Sequence, residues 1–279
     1  MSQNQRAANF LSQNFLVNSD AVRRIVRKAG LQASDHIIEI GPGRGSITRR
    51  LADTRARVTA IELDRRLYEK LCGKFAGRPQ VSLHCQDFLK WNLPARGGYK
   101  IFSNIPFSIT TDIVRKLSRA KNPPAEAWLV MEKGAAKRFL GKPHESAQSL
   151  LIKPIFDLEI CYYFRREDFL PRPGVDCVLQ KPGNLHRCDG SFLPRPGVDC
   201  VLLHMTRKTP PDVTRGQWKA YERFVGDCAR EGVSALRRTL SHRQAVRALR
   251  EAGLQNGTPS GDILYIQWLC LFRSSLRGG

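Results

Sequence analysis

The stretch from 103 to 107 contains residue types suited to holding a flat heterocycle. It reads Ser103-Asn104-Ile105-Pro106-Phe107. Asn104 offers a side-chain amide, and the Ile105 carbonyl precedes a proline that has no N–H. Phe107 adds an aromatic face. Two hydrogen-bond acceptors beside an apolar face match a planar ring with an exocyclic amino group, as in adenine.

The elements on either side place this stretch at the end of a strand. The apolar run Tyr99-Lys100-Ile101-Phe102 predicts a buried strand, and Ser108 is a good N-cap for the helix that follows. That helix is predicted from one apolar face, formed by Ile109, Ile113, Val114 and Leu117. Ligands bind at such strand ends in open α/β sheets. A plain turn with Phe107 in the core is the alternative.

A glycine-rich turn follows an earlier strand. His36–Ile40 predicts a buried strand, and a helix begins at Ile47 after the sequence Gly41-Pro42-Gly43-Arg44-Gly45-Ser46. Strand, glycine turn and helix form a cradle in which a ligand approaches the backbone closely. The spacing G-x-G-x-G departs from the dinucleotide fingerprint, whose third glycine would fall at Ser46, and it is not a P-loop.

Two further predicted strands end in acids. Glu62 ends Arg57–Glu62, where a carboxylate suits the two hydroxyls of a ribose. A helix cap is the alternative, although Asp64 fits that role better. Asp87 ends the strand that begins at Val81, and it is followed by Phe88, which is suited to packing on an adenine ring. Glycines and two acids, with no phosphate cradle, favour S-adenosylmethionine over NAD.

The charge balance favours a polyanionic partner. The 279 residues contain 46 Lys and Arg against 25 Asp and Glu, a net charge of +21. Nucleic acid is the first candidate and an anionic membrane the second. No run of 18 apolar residues predicts a membrane span, and the polar N-terminus lacks a signal-peptide core, so a cytoplasmic location is expected.

The cysteines and histidines do not predict a metal or redox site. None of the eight cysteines forms a C-x-x-C pair, so neither zinc nor a disulfide framework is expected, and buried free thiols are favoured. The six histidines lack the spacing of a metal or nucleophile site, and we interpret them as structural or surface residues.

A linker at Thr209-Pro210-Pro211 divides the chain into segments 1–208 and 209–279. Beyond it the patterns are helical throughout. Arginines are frequent there, at positions Arg230, Arg237, Arg238, Arg243, Arg247 and Arg250. This segment is suited either to gripping phosphates or to packing alone. Ser19 or Asp20 is predicted to cap the first helix, and its basic face, from Arg23 to Lys28, is either a solvated surface or part of a nucleic-acid footprint.

An eleven-residue sequence occurs twice. The segment 169–179 recurs without change at 192–202, which is 23 residues later. The second copy continues into Leu203-His204-Met205-Thr206 and is predicted to form the last strand. The first copy breaks at Pro182 and Gly183, so one copy and residues 180–191 are expected to loop out as a tandem insertion around 170–202. A sequencing artefact is the alternative.

Six segments in this order resemble the Erm family of ribosomal RNA adenine N6-methyltransferases, which confer resistance to macrolides, lincosamides and streptogramin B. They are Ser12-Gln13-Asn14-Phe15, Glu39 to Gly45, Ile61-Glu62, Gln86-Asp87-Phe88, Asn104 to Phe107, and the Phe192-x-Pro-x-Pro-x-Val-Asp199 segment. The resemblance covers 10 to about 275, and the duplication departs from it.

The resemblance implies an α/β class I S-adenosylmethionine-dependent methyltransferase with a Rossmann-like, seven-stranded sheet. A small all-helical C-terminal domain that binds ribosomal RNA would follow. The substrate would be one adenine of 23S rRNA, with no metal, membrane or second subunit. The residues implied to bind the cofactor are Asn14, Leu16, Gly41, Gly43, Glu62, Leu63, Asp87, Phe88 and Asn104. The residues implied to hold and present the target adenine are Asn104, Ile105, Pro106 and Phe107.

Enzymes that dimethylate small-subunit (16S) rRNA are the nearest alternative. They commonly have Leu at the position of Ile105 and His at the position of Asn14, so both residues favour the Erm side. DNA adenine methylation would usually require Pro-Pro-Tyr or Pro-Pro-Phe after the Asp or Asn, and Ile105 departs from that pattern. A further alternative is an RNA-binding protein that keeps the methyltransferase fold but has no catalytic activity. The intact Asn104 and Asp87 do not support it.

Overall fold

The computed structural model describes residues 15–170 and 199–278. The strands are β1 (Phe15–Leu16), β2 (His36–Ile40), β3 (Arg57–Glu62), β4 (Val81–Cys85), β5 (Lys100–Asn104), β6 (Glu126–Glu132), β7 (Phe156–Tyr163), β8 (Phe169–Leu170) and β9 (Cys200–Arg207). The α-helices are α1 (Ser19–Lys28), α2 (Ser46–Asp53), α3 (Arg65–Phe75), α4 (Thr110–Ser118), α5 (Lys133–Phe139), α6 (Ala147–Ile152), α7 (Arg215–Glu231), α8 (His242–Glu251) and α9 (Tyr265–Gly278). The 3₁₀ turns are Phe107–Ile109, Arg166–Asp168, Gly232–Arg238 and Ser260–Asp262.

Seven strands form one sheet in the order β4-β3-β2-β5-β6-β9-β7. The first five are parallel, whereas β9 runs antiparallel to both of its neighbours. The chain builds outward from β2 to β4 and then returns to place β5 on the other side of β2. The strand order therefore reverses between β2 and β5, which opens a crevice at their carboxyl ends. The predicted class I methyltransferase fold is confirmed.

Apolar side chains point alternately to the two faces of the sheet, and both faces are buried. Ile38 and Ile40 pack into one apolar cluster with α4 and α5. Ile37 points to the other face and packs into a second cluster with α1 and α2. Because both faces are covered by helices, the strands are nearly continuous apolar runs, as parallel sheets require.

Two predicted helix caps are wrong. Asn18, rather than Ser19 or Asp20, caps α1, and its side-chain oxygen accepts the amide of Asp20 at 2.9 Å. Ser108 lies inside a 3₁₀ turn, and α4 begins only at Thr110. The 3₁₀ turn Phe107–Ile109 therefore separates Pro106 from the first α-helical residue.

The segment after the linker is helical, as expected. Its helices enclose a third apolar cluster that includes Leu150 of α6. The hydroxyl of Tyr221 donates a hydrogen bond to the Leu150 carbonyl at 2.8 Å and fixes α7 on α6. Several of its arginines are paired with acids, since Arg230 contacts Asp227 at 2.5 Å and Arg247 contacts Glu251 at 2.8 Å.

The two copies of the repeat contribute to different strands: the start of the first copy lies in β8, and the end of the second copy lies in β9. Phe169 and Leu170, which open the first copy, form β8 and pair with β1. Residues from Cys200 onward, which end the second copy, form β9. The prediction that the second copy supplies the last strand is confirmed for this part. Residues 171–198, including the expected insertion, lie outside the described residues.

The described cysteines are free, but not all are buried. Cys200 and Cys228 are buried, as predicted, whereas Cys85 is exposed at the end of the edge strand β4. Cys177 and Cys188 lie outside the described residues. Within 15–170 and 199–278, no helix is long and apolar enough to cross a membrane. The same residues contain no group of three or more His, Cys, Asp or Glu side chains placed to hold a metal ion.

Candidate active site

A cleft of about 1070 Å³ lies at the carboxyl ends of the parallel strands. It includes all of the predicted site residues that the structure describes. These are Leu16, Gly41, Gly43, Glu62, Leu63, Asp87, Phe88, Asn104, Ile105, Pro106 and Phe107. Asn14 lies outside the described residues. The sequence therefore located the cleft, although the residues come from five separate segments of the chain.

The glycine turn presents its backbone to the cleft. Gly41 and Gly43 have φ angles of +63° and +58°, which side chains with a Cβ rarely adopt. A Cβ on Gly43 would meet the Phe15 ring at 3.0 Å. The turn must therefore remain free of side chains, both for its own conformation and for the close approach of β1.

Glu62 lies at the floor of the cleft with 3% of its surface exposed. One carboxylate oxygen accepts the amide of Gly43 and the other accepts the amide of Asp64, each at 2.9 Å. These bonds fix the orientation of the carboxylate and leave further lone pairs for a ligand, which suits two vicinal hydroxyls. Burial raises the pKa of Glu62 above its ordinary value. Asp64 caps α3, so Glu62 is not needed for that role.

The next strand end supplies a second acid and apolar surface. Asp87 accepts the amide of Leu89 at 2.9 Å, which turns the chain away from β4. Phe88 is only 5% exposed and belongs to the core beneath the cleft, so it is less open than an adenine-stacking ring was expected to be. Leu63, which is 55% exposed, adds open apolar surface beside these residues.

The segment from Asn104 to Phe107 leaves the sheet in a fixed conformation. Asn104 is the last residue of β5, and the Ile105 amide donates to the Val130 carbonyl at 3.0 Å. The Ile105 side chain is buried, with 2% exposed, so its carbonyl is the group suited to a ligand. The Phe107 ring is half-buried against the second apolar cluster rather than fully exposed. Its position is therefore held by packing.

Glu39 is a buried acid beneath the glycine turn that sequence reasoning did not single out as a site residue. It is 1% exposed, and its Oε2 atom has no hydrogen-bond partner within the described residues. The nearby Thr48 hydroxyl also makes no hydrogen bond of standard geometry. Its proximity to Glu39 nevertheless acts to lower the pKa of this acid. Burial is the larger effect and raises the pKa of Glu39 to about 8. The sequence did contain a signal for this buried acid, because Glu39 is a charged residue inside the apolar run from Ile37 to Ile40.

The pairing of β1 with β8, which forms a strap beside the cleft, was not predicted. Phe15 of β1 pairs with Leu170, and the guanidinium of Arg44 lies 4.8 Å from the centre of the Phe15 ring. The buried Asp168 anchors this strap, because its Oδ1 atom accepts the side-chain amide of Asn18 at 2.6 Å. Two-residue strands that lie so far apart along the chain leave no periodic pattern in the sequence.

These features fit S-adenosylmethionine. The oriented carboxylate of Glu62 suits a ribose, and Asp87 with Leu63 suits an adenine. The open glycine backbone leaves room for the amino-acid part. Glu62 and Asp87 also provide carboxylates at the cleft for a ligand that carries positive charge.

Comparisons with known proteins agree with this site. A family model described as ribosomal RNA adenine dimethylase matches residues 4–275. An rRNA adenine N-6-methyltransferase of Escherichia coli is 29% identical over 265 residues, which is 95% of each chain. A protein named ribosomal RNA small subunit methyltransferase A, from Chlorobium phaeobacteroides (strain BS1), is 36% identical over 175 residues, covering 61% of this chain and 66% of its own.

Among solved structures, the 23S rRNA methyltransferase ErmE superposes with a TM-score of 0.76 at 26% identity, covering 94% of this chain and 99% of that one. The family match spans nearly the whole sequence, and the cleft carries the groups that the cofactor requires. The chain therefore belongs to the ribosomal RNA adenine dimethylase family and is an S-adenosylmethionine-dependent rRNA adenine N6-methyltransferase.

Proposed function

We propose that this enzyme methylates N6 of one adenine in 23S rRNA and thereby confers resistance to macrolides, lincosamides and streptogramin B. The observation that carries the proposal is the likeness to ErmE over 94% of the chain at 26% identity. Ile105 and Asn14 in the family segments favour the same substrate. A ribosomal substrate of this kind is methylated in the cytoplasm, and the enzyme acts as a monomer without a metal.

Methylation of small-subunit (16S) rRNA is the second candidate. It is favoured by the 36% identity to the small-subunit methyltransferase of Chlorobium phaeobacteroides, although that likeness covers only 61% of this chain. The two candidates share the cleft and the chemistry, so they differ only in which RNA presents its adenine.

The cofactor supplies an activated methyl group on a positively charged sulfur. Glu62 would hold its ribose, and Asp87 with the exposed side chain of Leu63 would hold its adenine above the buried ring of Phe88. Gly41 and Gly43 give it an open backbone, while Leu16 of the strap, together with Asn14, covers it. Alignment of the two reactants is the main contribution of the protein, because the methyl group needs no further activation.

The target adenine occupies the side of the cleft formed by Asn104, Ile105, Pro106 and Phe107. The N6 lone pair of adenine is delocalised into the ring and is therefore a weak nucleophile. The Asn104 side-chain oxygen and the Ile105 carbonyl accept hydrogen bonds from the two N6–H groups and favour a localised lone pair on N6. Phe107 stacks on the ring, which contributes roughly 1–3 kcal/mol by analogy with base–aromatic stacking in single-stranded nucleic acids.

No general base is required before the attack, since the methylated nitrogen is strongly acidic and loses its proton readily. The adenine must leave its helix or be presented in a loop, because an adenine within a duplex cannot reach the cleft. The product nitrogen keeps a lone pair, so a second transfer by the same groups is chemically possible.

The test supplies a tritiated methyl donor to the purified enzyme with 23S rRNA, 16S rRNA or duplex DNA. We expect label in 23S rRNA alone, at a single adenine located by primer extension. Expression in a sensitive bacterium is expected to raise the inhibitory concentration of erythromycin. Label in 16S rRNA alone would establish the second candidate, and label in DNA alone would contradict both.

A further inference from the structure

A second cavity of about 1160 Å³ lies away from the cofactor cleft. It is found where α4 ends, where β9 ends and where α7 begins. Arg207 closes β9 opposite Phe156, the first residue of the antiparallel neighbour β7. The cavity therefore opens at the amino ends of the parallel strands, whereas the cleft opens at their carboxyl ends.

The lining of this cavity is strongly basic. Five cationic side chains contribute to it, namely Arg119, Lys121, Arg207, Lys208 and Arg215. Two of them are paired with acids. Arg119 contacts Glu222 at 2.6 Å, and Lys208 contacts Asp212 at 2.5 Å and Asp157 at 3.5 Å.

The other three cations keep their charge. In the described part of the chain, no carboxylate lies within ion-pair distance of Lys121, Arg207 or Arg215. Lys121 and Arg215 are exposed. Arg207 donates to the Asn122 side-chain oxygen at 3.1 Å and to the Pro123 carbonyl at 2.8 Å. These neutral acceptors orient the guanidinium without neutralising it, which is how an arginine is prepared for an anion.

An aromatic ring completes the lining. Trp218 of α7 is partly exposed in the cavity, and its ring lies 6.0 Å from that of Tyr221. Cations beside a partly exposed indole form a combination that binds single-stranded nucleic acids, in which the charges contact phosphates and the ring stacks on a base.

Helix α4 connects the two sites. It begins three residues after Phe107 and ends at Ser118, directly before Arg119. Twelve residues of helical rise place Arg119 about 18 Å from Phe107 along this axis. An RNA that puts its adenine beside Phe107 can therefore run along the helix to the basic cavity.

We propose that this cavity binds phosphate groups of the substrate RNA outside the target nucleotide, with Trp218 contacting an unpaired base. The proposal rests on the ribosomal RNA substrate of the family and not on the choice between 23S and 16S rRNA. It assigns to Lys121, Arg207 and Arg215 a role in RNA affinity rather than in methyl transfer.

The test compares two double variants of the full-length enzyme. Lys121→Gln/Arg215→Gln removes two free charges from the cavity. Arg49→Gln/Lys70→Gln removes two exposed charges from α2 and α3, outside both sites. The Kd is measured for hairpin fragments of 23S and 16S rRNA between about 50 and 300 mM KCl, because counterion release makes the salt slope proportional to the number of phosphates that the protein neutralises.

We expect the cavity variant to bind its RNA roughly tenfold more weakly at about 100 mM KCl. The slope of log K against log salt should decrease by about 0.7–0.9 for each phosphate that the variant no longer neutralises. The control variant should match the wild type, and kcat at saturating RNA and the cofactor Kd should be unchanged in both. Trp218→Leu should weaken binding to a hairpin with an unpaired flank more than binding to a fully paired one.

Equal affinity and equal salt slope in the cavity variant and the control would overturn the proposal. It would also be overturned if inorganic phosphate or a free mononucleotide bound the cavity while RNA affinity remained at the wild-type value. Failure of the wild type to methylate 23S rRNA would refute the proposed function alone, because the binding comparison is made with whichever RNA the wild type methylates.

Discussion

Two acceptors at the end of β5 determine how the target adenine is held. The Ile105 amide is bound to Val130 of the neighbouring strand, so the backbone of this residue cannot rotate freely. The buried Ile105 side chain adds a second constraint. Because the following residue is proline, the chain turns with a fixed φ and the Ile105 carbonyl keeps its direction. The rigid sheet thus sets the position of one acceptor relative to Asn104.

Replacing Asn104 with alanine is expected to lower kcat by at least about 100-fold, by analogy with the loss of one preorganised hydrogen-bond partner in other active sites. The cofactor Kd should change by no more than a few-fold, since Glu62 and Asp87 remain. Single-turnover transfer and calorimetric cofactor binding provide the two measurements. Asn92→Ala, at an exposed asparagine outside the cleft, is the control. A rate for Asn104→Ala close to that of the control would refute the acceptor role.

Glu39 provides a prediction with a defined pH dependence. Its pKa is raised to about 8 in the folded protein, above the value of an unfolded glutamate. The folded state therefore holds the proton more tightly, and stability declines as the pH rises from about 5 to 8. Glu39→Gln has the same shape and no titration. Its stability relative to the wild type should increase by up to about 1.4 kcal/mol per pH unit across this range.

Urea unfolding of both proteins without cofactor, at intervals between about pH 5.5 and 8.5, measures this difference. Profiles that stay parallel would show that Glu39 is ionised in the fold at neutral pH. The same series with saturating cofactor reports whether Glu39 interacts with the positively charged ligand, because ionisation would then be favoured and the pH dependence would weaken.

At the scale of secondary-structure elements, Lys116 connects the helix beside the target base with the segment beside the cofactor adenine. Its ammonium group donates to the carbonyls of Leu89 and Trp91 at 2.8 and 2.6 Å. It also lies 5.3 Å from the centre of the Phe88 ring. Burial lowers the pKa of Lys116. One side chain of α4 therefore holds the turn that follows Asp87.

Lys116→Met is expected to weaken cofactor binding roughly 5- to 30-fold, because the turn loses two charged hydrogen bonds while the apolar stem is kept. At saturating cofactor, kcat should remain near that of the wild type. Lys90→Met, at an exposed lysine in the same turn, is the matched control, and Lys116→Arg should restore part of the affinity. An unchanged cofactor Kd in Lys116→Met would exclude this positioning role.

The sequence predicted those elements whose apolar pattern is strong. The ends of β2 and β3 agree with prediction because a buried run stops at a polar or glycine residue, whereas β5 continues two residues beyond its apolar run, to Asn104. Helix caps were less predictable, since Asn18 and Ser19 have similar cap propensities and the fold decides which one faces the first turn. The β1–β8 pairing and the Asp168 anchor depend on contacts between distant residues, which local patterns do not encode.

At the scale of the whole molecule, the start of the first copy and the end of the second copy of the repeat are both part of the fold, in β8 and β9 respectively. The first copy is held at its start, because the carboxylate of Asp168, which precedes Phe169, accepts the side-chain amide of Asn18 at 2.6 Å. Ser191 precedes the second copy and offers no such carboxylate. The second copy is held at its end, where Leu203 to Arg207 continue β9, whereas Gln180-Lys181-Pro182 follow the first and cannot. We therefore predict that 23 of the 28 residues between Leu170 and Asp199 can be removed without loss of the fold.

Removing 23 residues tests this directly. Deletion of 180–202 and deletion of 171–193 give the same protein, because the two copies are identical, and the joined sequence keeps both anchors. The connection between Leu170 and Asp199 shortens from 28 residues to five, which is expected to raise the free energy of unfolding by up to about 1.5 kcal/mol through loop closure. Methylation of the substrate RNA should be retained. The measurements are urea unfolding and tritium transfer with both proteins under the same conditions. A deletion product that is insoluble, or soluble and inactive, would show that the inserted residues contribute to the fold or to the reaction.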